Sequence, residues 1–234
     1  MAFDFGAVGD MTWIRDRLRA CFGSPAPIPA RAPIDQLVRS SISGRTYDHV
    51  SWGAYRRLVE TYPAWSGLAG ATRGDIETTI GDVTFPDVKA RQLHATINII
   101  AARQPDFDLT FLGKLDVETA LAWLERLPGV GRKVSASTLN FSTLQMPAFV
   151  VDSHVLRVMG RFGFVRSTPE TETTYEVAMA IMSDWSAGDL VELHILMKHL
   201  GQTLCHKHRP CCRDCPINER CHTSPLRSQR HDLH

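Results

Sequence analysis

Apolar residues recur at intervals of three and four along most of this chain, and that period dictates helices rather than strands. Ile34, Leu37, Val38 and Ile42 fall at i, i+3, i+4 and i+8. Val117, Leu121 and Leu124 follow the same rule, as do Val155, Val158, Met159 and Phe162, and then Leu190, Leu193, Met197 and Leu200. Each stripe is read as the core-facing side of a helix. Proline and glycine punctuate the helical stretches at Pro25–Pro33, Gly81–Pro86, Pro128–Gly131 and Pro147. The chain shows no internal repeat and no low-complexity stretch, so the expected fold class is all-α. Its 234 residues suffice for one large domain or two modest ones. No apolar run approaches membrane-spanning length, and no basic stretch followed by an apolar run opens the sequence. A soluble, cytoplasmic protein is expected.

The cysteines are distributed unevenly. Cys21 stands alone, whereas Cys205, Cys211, Cys212, Cys215 and Cys221 crowd one short window. Without a secretory signal such crowding argues against a disulfide scaffold. Thiolates gathered in one loop repel each other unless a cation neutralises them, so a metal centre is expected. Cys205, Cys212, Cys215 and Cys221 have the spacing Cys-x6-Cys-x2-Cys-x5-Cys. This offers only one of the two close pairs usual in structural zinc sites, and it is looser than the ferredoxin spacing. Spacing alone leaves the metal open. Net charge is +1, which does not advertise a polyanionic partner. From Met197 onward, however, seven basic residues face three acidic ones. A basic end on a neutral chain is compatible with nucleic acid and equally with a solvated tail.

Two further segments carry chemistry. In Leu127-Pro128-Gly129-Val130-Gly131-Arg132-Lys133, one helix ends and another begins across two glycines. Residues without a Cβ let the backbone approach an oxygen-rich ligand, and the N–H groups opening the second helix point at an anion. By itself this is a phosphate-binding hairpin or an ordinary helix–helix turn. About twenty residues later, Asp152 in Val151-Asp152-Ser153-His154-Val155 sits at a favoured helix N-cap, a role compatible with catalysis.

Together, Leu127–Lys133, Val151–Val155 and the four ordered cysteines resemble the helix–hairpin–helix DNA glycosylase superfamily, specifically its endonuclease III branch. Lys89-Ala90 also matches a Lys-Ala recurrent in that family. The resemblance runs from about Ile34 to Cys221. It implies two helical lobes with a DNA-binding cleft between them. One would be a helical barrel over 30–146, the other an iron–sulfur lobe built from 1–29 and 147–225, with 226–234 as a flexible tail. It also implies a [4Fe–4S] cluster on Cys205, Cys212, Cys215 and Cys221, and a monomer acting on double-stranded DNA that contains a damaged base or abasic site.

The family chemistry places the nucleophile at Lys133, which attacks C1′, releases the base and forms a Schiff base before β-elimination breaks the strand. At pH 7 roughly one unperturbed lysine in two thousand is neutral. A helix N-terminus, partial desolvation and the neighbouring Arg132 all disfavour the ammonium. Asp152 supplies a carboxylate for positive charge at the sugar or for proton transfer. Gly129, Gly131 and Arg132 are the expected DNA contacts of the hairpin, and Lys207 and Arg209, beside His206 and His208, those of the cysteine loop. Where relatives place a gap-filling glutamine, this chain has Gly44-Arg45, so Arg45 is the candidate to enter the space left by a flipped nucleotide. Phe85 stands where relatives offer a leucine wedge; otherwise it is a core residue. The expected activity is a bifunctional glycosylase and abasic-site lyase on oxidised pyrimidines. The alternatives are a monofunctional glycosylase for a mismatched, deaminated or alkylated base, and a non-catalytic cluster-bearing DNA-binding module.

Overall fold

The computed structural model describes residues 5–166 and 170–225; the segment 226–234, expected to be a tail, lies outside the described residues. The described chain is all-α, with no strand. Its helices are α1 (Phe5–Phe22), α2 (Pro33–Ser43), α3 (Asp48–Thr61), α4 (Trp65–Gly70), α5 (Arg73–Thr79), α6 (Pro86–Arg103), α7 (Val117–Glu125), α8 (Arg132–Asn140), α9 (Ser153–Phe162), α10 (Thr171–Ile181) and α11 (Ala187–Thr203), with a short 3-10 turn at Thr110–Lys114. They form two compact units. The chain up to Ile28 joins the chain from Pro147 onward, and Pro29–Met146 forms the other.

In the Pro29–Met146 unit, α2 lies against α3, α6 and α8. Its stripe of Ile34, Leu37, Val38 and Ile42 is buried as the periodicity requires. At the α2–α8 contact the core turns polar. Gln36 Nε2 donates to Ser40 Oγ and Ser137 Oγ, both at 3.0 Å, and the two hydroxyls lie 2.9 Å apart. Small hydroxyl side chains let these helices approach while satisfying one another, which buried polar groups require. The unit closes on itself where Thr143 N–H donates to Arg31 O at 2.8 Å. Helix α7 buries Ala120, Leu121 and Leu124; Val117, expected in that stripe, is only half-buried because it occupies the first turn beside the Asp116 cap.

In the other unit, α9 packs on α11 and buries Val155, Val158, Met159 and Phe162, while α11 buries Leu190, Leu193, Met197 and Leu200. Gly201 permits the close approach: a Cβ there would lie 2.7 Å from His154 Cβ. Helix α1 buries Met11, Ile14 and Leu18 and is tied to α11 by Arg15 with Asp189 at 3.1 Å and by Arg19 with Glu192. A Ser186–Asp189 capping box starts α11.

The α7–α8 hairpin is fixed by one glycine. Gly129 adopts φ +76°, and a Cβ there would meet Gln92 Cδ at 2.5 Å and Gln92 Cβ at 2.9 Å. The Gln92 amide can swing aside, but its Cβ cannot. Gly129→Ala is therefore expected to cost at least about 1–2 kcal/mol from the left-handed backbone alone, read as a lowered urea midpoint with an unchanged m-value.

Candidate active site and cysteine loop

Each compact unit carries one part of the candidate chemistry. In the Pro29–Met146 unit the hairpin turns at Leu127–Val130, where Val130 N–H donates to Leu127 O at 3.1 Å. Thr96 Oγ1 anchors it to α6 by donating to Pro128 O at 2.9 Å. Gly131 is the N-cap of α8, makes no side-chain capping bond, and has open space where a Cβ would stand. Its φ of −104° is open to any residue, so what glycine contributes here is access.

Lys133 lies in the first turn of α8, half-buried, and its Nζ donates to Ser43 Oγ at 2.8 Å. Ser43, at the last turn of α2, in turn donates to Ser40 O at 2.9 Å. Arg132 is also bonded within the protein. Its Nε donates to Glu125 Oε1 at 2.6 Å, and the same oxygen accepts from Ser135 Oγ at 2.8 Å. The guanidinium charge is compensated by α7 beside the hairpin, which weakens its effect on the neighbouring ammonium.

Arg45 and Phe85 come together. Both are exposed and both adopt left-handed backbone, at φ 55° and 58°. The Arg45 guanidinium carbon lies 6.0 Å from the centre of the Phe85 ring, at the limit of a cation–π contact. Phe85 is not a core residue: it is 52% exposed at the N-cap of α6, ahead of Pro86. Two bonds fasten the turns to each other, with Thr84 Oγ1 donating to Arg45 O at 2.8 Å and Thr84 N–H to Thr46 Oγ1 at 3.1 Å.

The residue behind this arrangement is Lys89, which the sequence marked only as part of a recurrent Lys-Ala. Its side chain is buried, and its Nζ donates to Ile42 O at 2.8 Å, Gly44 O at 2.7 Å and Thr46 Oγ1 at 2.9 Å. Burial lowers its pKa to about 8. A buried lysine needs acceptors from several residues at once, so its role became visible only with the turn in place.

In the other unit Asp152 caps α9, and its Oδ1 accepts from His154 N–H at 2.8 Å and Val155 N–H at 2.9 Å. Burial pushes its carboxyl up. His194, the Val155 amide, Lys198 and His154 together outweigh burial and hold it below the ordinary aspartate value. His194, itself buried, has its Nδ1 2.7 Å from Val150 O.

Beyond α11 the chain folds into the cysteine loop. Cys205, Cys212, Cys215 and Cys221 are half-buried, Cys211 is exposed, and all five line one pocket floored by Val158, Leu200 and Ile217. Arg161 Nη1 donates to Cys205 Sγ at 3.2 Å and to His206 O at 2.7 Å, and its Nη2 to Lys207 O at 2.7 Å. Arg157 reaches Cys205 O at 2.7 Å and Gly201 O at 2.8 Å. The loop closes on the end of α9, where His222 N–H donates to Phe162 O at 3.2 Å and Thr223 N–H to Arg161 O at 3.2 Å. Gly163 permits this closure, since a Cβ at its φ of +116° would meet the His222 ring at 2.2 Å. Burial, then the neighbouring thiolates, pushes Cys215 up to about 11, with Cys212 raised for the same reasons. Among the described residues no three Cys, His, Asp or Glu side chains converge on a single-ion position. His206, Lys207, His208 and Arg209 are exposed on the segment whose carbonyls Arg161 holds.

Residues 38–183 match the HhH-GPD superfamily of base excision DNA repair proteins. Endonuclease III of Rickettsia prowazekii is 36% identical over 185 residues, 79% of this chain and 81% of that protein. The chain belongs to the endonuclease III family. It is accordingly an enzyme, a base-excision-repair DNA glycosylase. Endonuclease III of Thermotoga maritima is 28% identical over 192 residues, covering 81% of this chain and 82% of the relative. In fold the glycosylase resembles an endonuclease III solved in a non-covalent complex with DNA, with a TM-score of 0.78 and 22% identity over 95% of this chain and 98% of that one. It also resembles a thermostable thymine-DNA glycosylase, with a TM-score of 0.74 and 15% identity over 93% and 98% of the two chains. No described helix is long and apolar enough to cross a membrane.

Lys89 gives a pH test. Its folded pKa of about 8 lies below the unfolded value of 10.5, so the unfolded chain binds more protons between these values. Its desolvation cost is fully present below pH 8 and fades as pH rises towards 10.5. Wild-type stability minus that of Lys89→Met is expected to increase across this window, measured by chemical denaturation at pH 7, 8, 9 and 10.

Proposed function

We propose that this glycosylase is bifunctional: it removes a damaged base, of the oxidised pyrimidine class, from double-stranded DNA and then cleaves the abasic strand. The observation carrying this reading is Lys133, half-buried in the first turn after the hairpin, with its Nζ fixed by Ser43. The neutral amine attacks C1′ and a new C–N bond forms. The glycosidic bond breaks, and the base leaves with its bonding pair and takes up a proton. The added amine loses a proton, the C1′–O4′ bond breaks with O4′ taking up a proton, and the ring-opened C1′ becomes a protonated Schiff base. This acidifies the C2′ proton, whose loss expels the 3′ phosphate by β-elimination. Asp152 supplies the carboxylate that stabilises positive charge at the sugar, supported by the interactions that keep it ionised at neutral pH. The α8 N-terminus with Gly129 and Gly131 receives a phosphate, and Arg132 contributes with a charge shared with Glu125. Arg45 and Phe85 enter the duplex, supported by their exposure and by the clamped turns that display them.

Cys205, Cys212, Cys215 and Cys221 would hold a [4Fe–4S] cluster. The fit rests on four half-buried thiols around one pocket and a guanidinium donating to one of them. When bound, the cluster neutralises the thiolates and holds the loop closed, which presents Lys207 and Arg209 to phosphate. The enzyme acts as a monomer on DNA.

Borohydride is expected to trap a covalent adduct with abasic duplex, abolished in Lys133→Ala. Strand cleavage only after alkali, with no adduct, would instead assign a monofunctional glycosylase. Asp152→Asn keeps an acceptor for the α9 cap and loses the charge. It should leave Tm within a few degrees and lower base release by about a hundredfold or more. Lys207→Ala with Arg209→Ala should reduce the salt slope of DNA binding by about two counterions; an unchanged slope would make the loop ordinary solvated surface. Purified protein should carry iron and acid-labile sulfide in equal amounts, and stoichiometric zinc without iron would overturn the cluster.

A further inference from the structure

Helix α3 begins at a residue that helix starts disfavour. Its N-cap is Tyr47, which makes no side-chain capping bond, where Ser, Thr, Asp or Asn would satisfy a first-turn N–H. Thr72, Asp116, Asp152 and Ser186 cap α5, α7, α9 and α11, whereas α2, α4, α6, α8 and α10 share with α3 the lack of a side-chain cap. What sets Tyr47 apart from these is a large aromatic ring left 79% exposed, more than Phe85 at 52%. The position thus forgoes a cap and leaves a large ring in water. Neither choice favours stability, and breaches of local rules without a folding gain concentrate at functional sites.

The backbone carrying Tyr47 is held from behind. Thr46, between Arg45 and Tyr47, accepts both the Thr84 N–H and the Lys89 ammonium on its hydroxyl. Tyr47 therefore emerges from a clamped turn, two residues from the arginine that lies beside Phe85. His49 is roughly parallel to the Tyr47 ring at 6.0 Å, with 23° between planes, which steadies it while leaving it largely in solvent.

We propose that Tyr47 is a DNA-contacting residue of this turn, stacking on a base that loses its neighbour when the damaged nucleotide leaves the duplex. The inference rests on the reading of the chain as a glycosylase acting on duplex DNA. Every base offers a π face, so stacking on an exposed ring tolerates any sequence. That suits a residue that supports opening of the duplex and leaves lesion choice to the pocket.

The test measures equilibrium binding of the full-length protein to duplexes with and without a tetrahydrofuran abasic-site analogue. Tyr47→Thr restores a capping hydroxyl, so its Tm should hold or rise by up to about 4 °C. It should nevertheless weaken binding to the abasic duplex about 5- to 30-fold, with less than a twofold change on undamaged duplex. Tyr47→Phe, which keeps the ring, should bind like wild type. A wild type that fails to prefer the abasic duplex overturns both the glycosylase reading and this inference. A wild-type preference retained in Tyr47→Thr overturns the inference alone. Loss in Tyr47→Phe equal to that in Tyr47→Thr would place the contact in the hydroxyl and overturn stacking. A Tm lowered by several degrees in Tyr47→Thr would make the ring structural, with the same consequence.

Discussion

The Lys89 ammonium is the constraint on which the candidate DNA-facing surface of the Pro29–Met146 unit depends. A helix leaves its last carbonyls without partners, and α2 ends at Ser43 with Gly44 at φ −56°. Left-handed Arg45 turns the chain so that Thr46 N–H donates to Ser43 O at 3.2 Å, and a buried cation from α6 takes the Ile42 and Gly44 carbonyls. The negative end of a helix dipole favours a cation at that position. Because the same ammonium also binds Thr46, one side chain ties the end of α2, the following turn and the start of α6 into a single piece. Left-handed Arg45 and Phe85 each cost of order 1–2 kcal/mol of backbone strain. Such strain persists only where surrounding contacts over-determine the conformation, and the Lys89 and Thr84 bonds provide that.

The last turn of α2 serves two lysines in different ways. Lys89 is fully engaged by three oxygens and has no room for chemistry. Lys133 meets the Ser43 hydroxyl, a neutral partner whose own proton is directed to Ser40 O. A hydroxyl can orient an amine without fixing its charge, as a carboxylate would. Asp152 at the start of α9 accepts from the His154 and Val155 amides, and His194, the Val155 amide, Lys198 and His154 together outweigh its burial and hold the carboxyl below the ordinary aspartate value. In both places the end of a helix supplies the geometry that positions the side chain.

The parts legible in the sequence were those encoded by local period and local chemistry. The stripes from Ile34, Val155 and Leu190 became buried faces, because the spacing of apolar residues on a helix depends on nothing outside it. Asp152 was readable as a cap for the same reason, and the HhH-GPD match bears out the family that the hairpin and the ordered cysteines suggested. What escaped was encoded across distance. Lys89 binds residues more than forty positions earlier, and Glu125 reaches Arg132 across the hairpin. Phe85 could be wedge or core by sequence, and only its exposure removes it from the core. Tyr47 carried a local signal, an aromatic in a capping position, but this is detectable only once the start of α3 is known.

Glu125 changes the electrostatic argument for Lys133. From the sequence, Arg132 is a neighbouring like charge that should favour the neutral amine. With Glu125 at 2.6 Å, the pair presents little net charge to its surroundings. Around Lys133 the structure places half-burial against α2 and the first turn of α8, whose positive end disfavours an ammonium. These do not vary with a flexible side chain, and they persist when DNA phosphate arrives. A phosphate at the same helix end works in the opposite direction, because its negative charge favours the ammonium. Under the proposed mechanism, attack by Lys133 is favoured where the phosphate is taken by the hairpin amides and its charge is spread over several donors, rather than placed directly on Lys133. The open space at Gly131 and the left-handed Gly129 turn leave the hairpin backbone accessible for that role, which in the proposed mechanism would tie the conformation of the hairpin to the reactivity of Lys133.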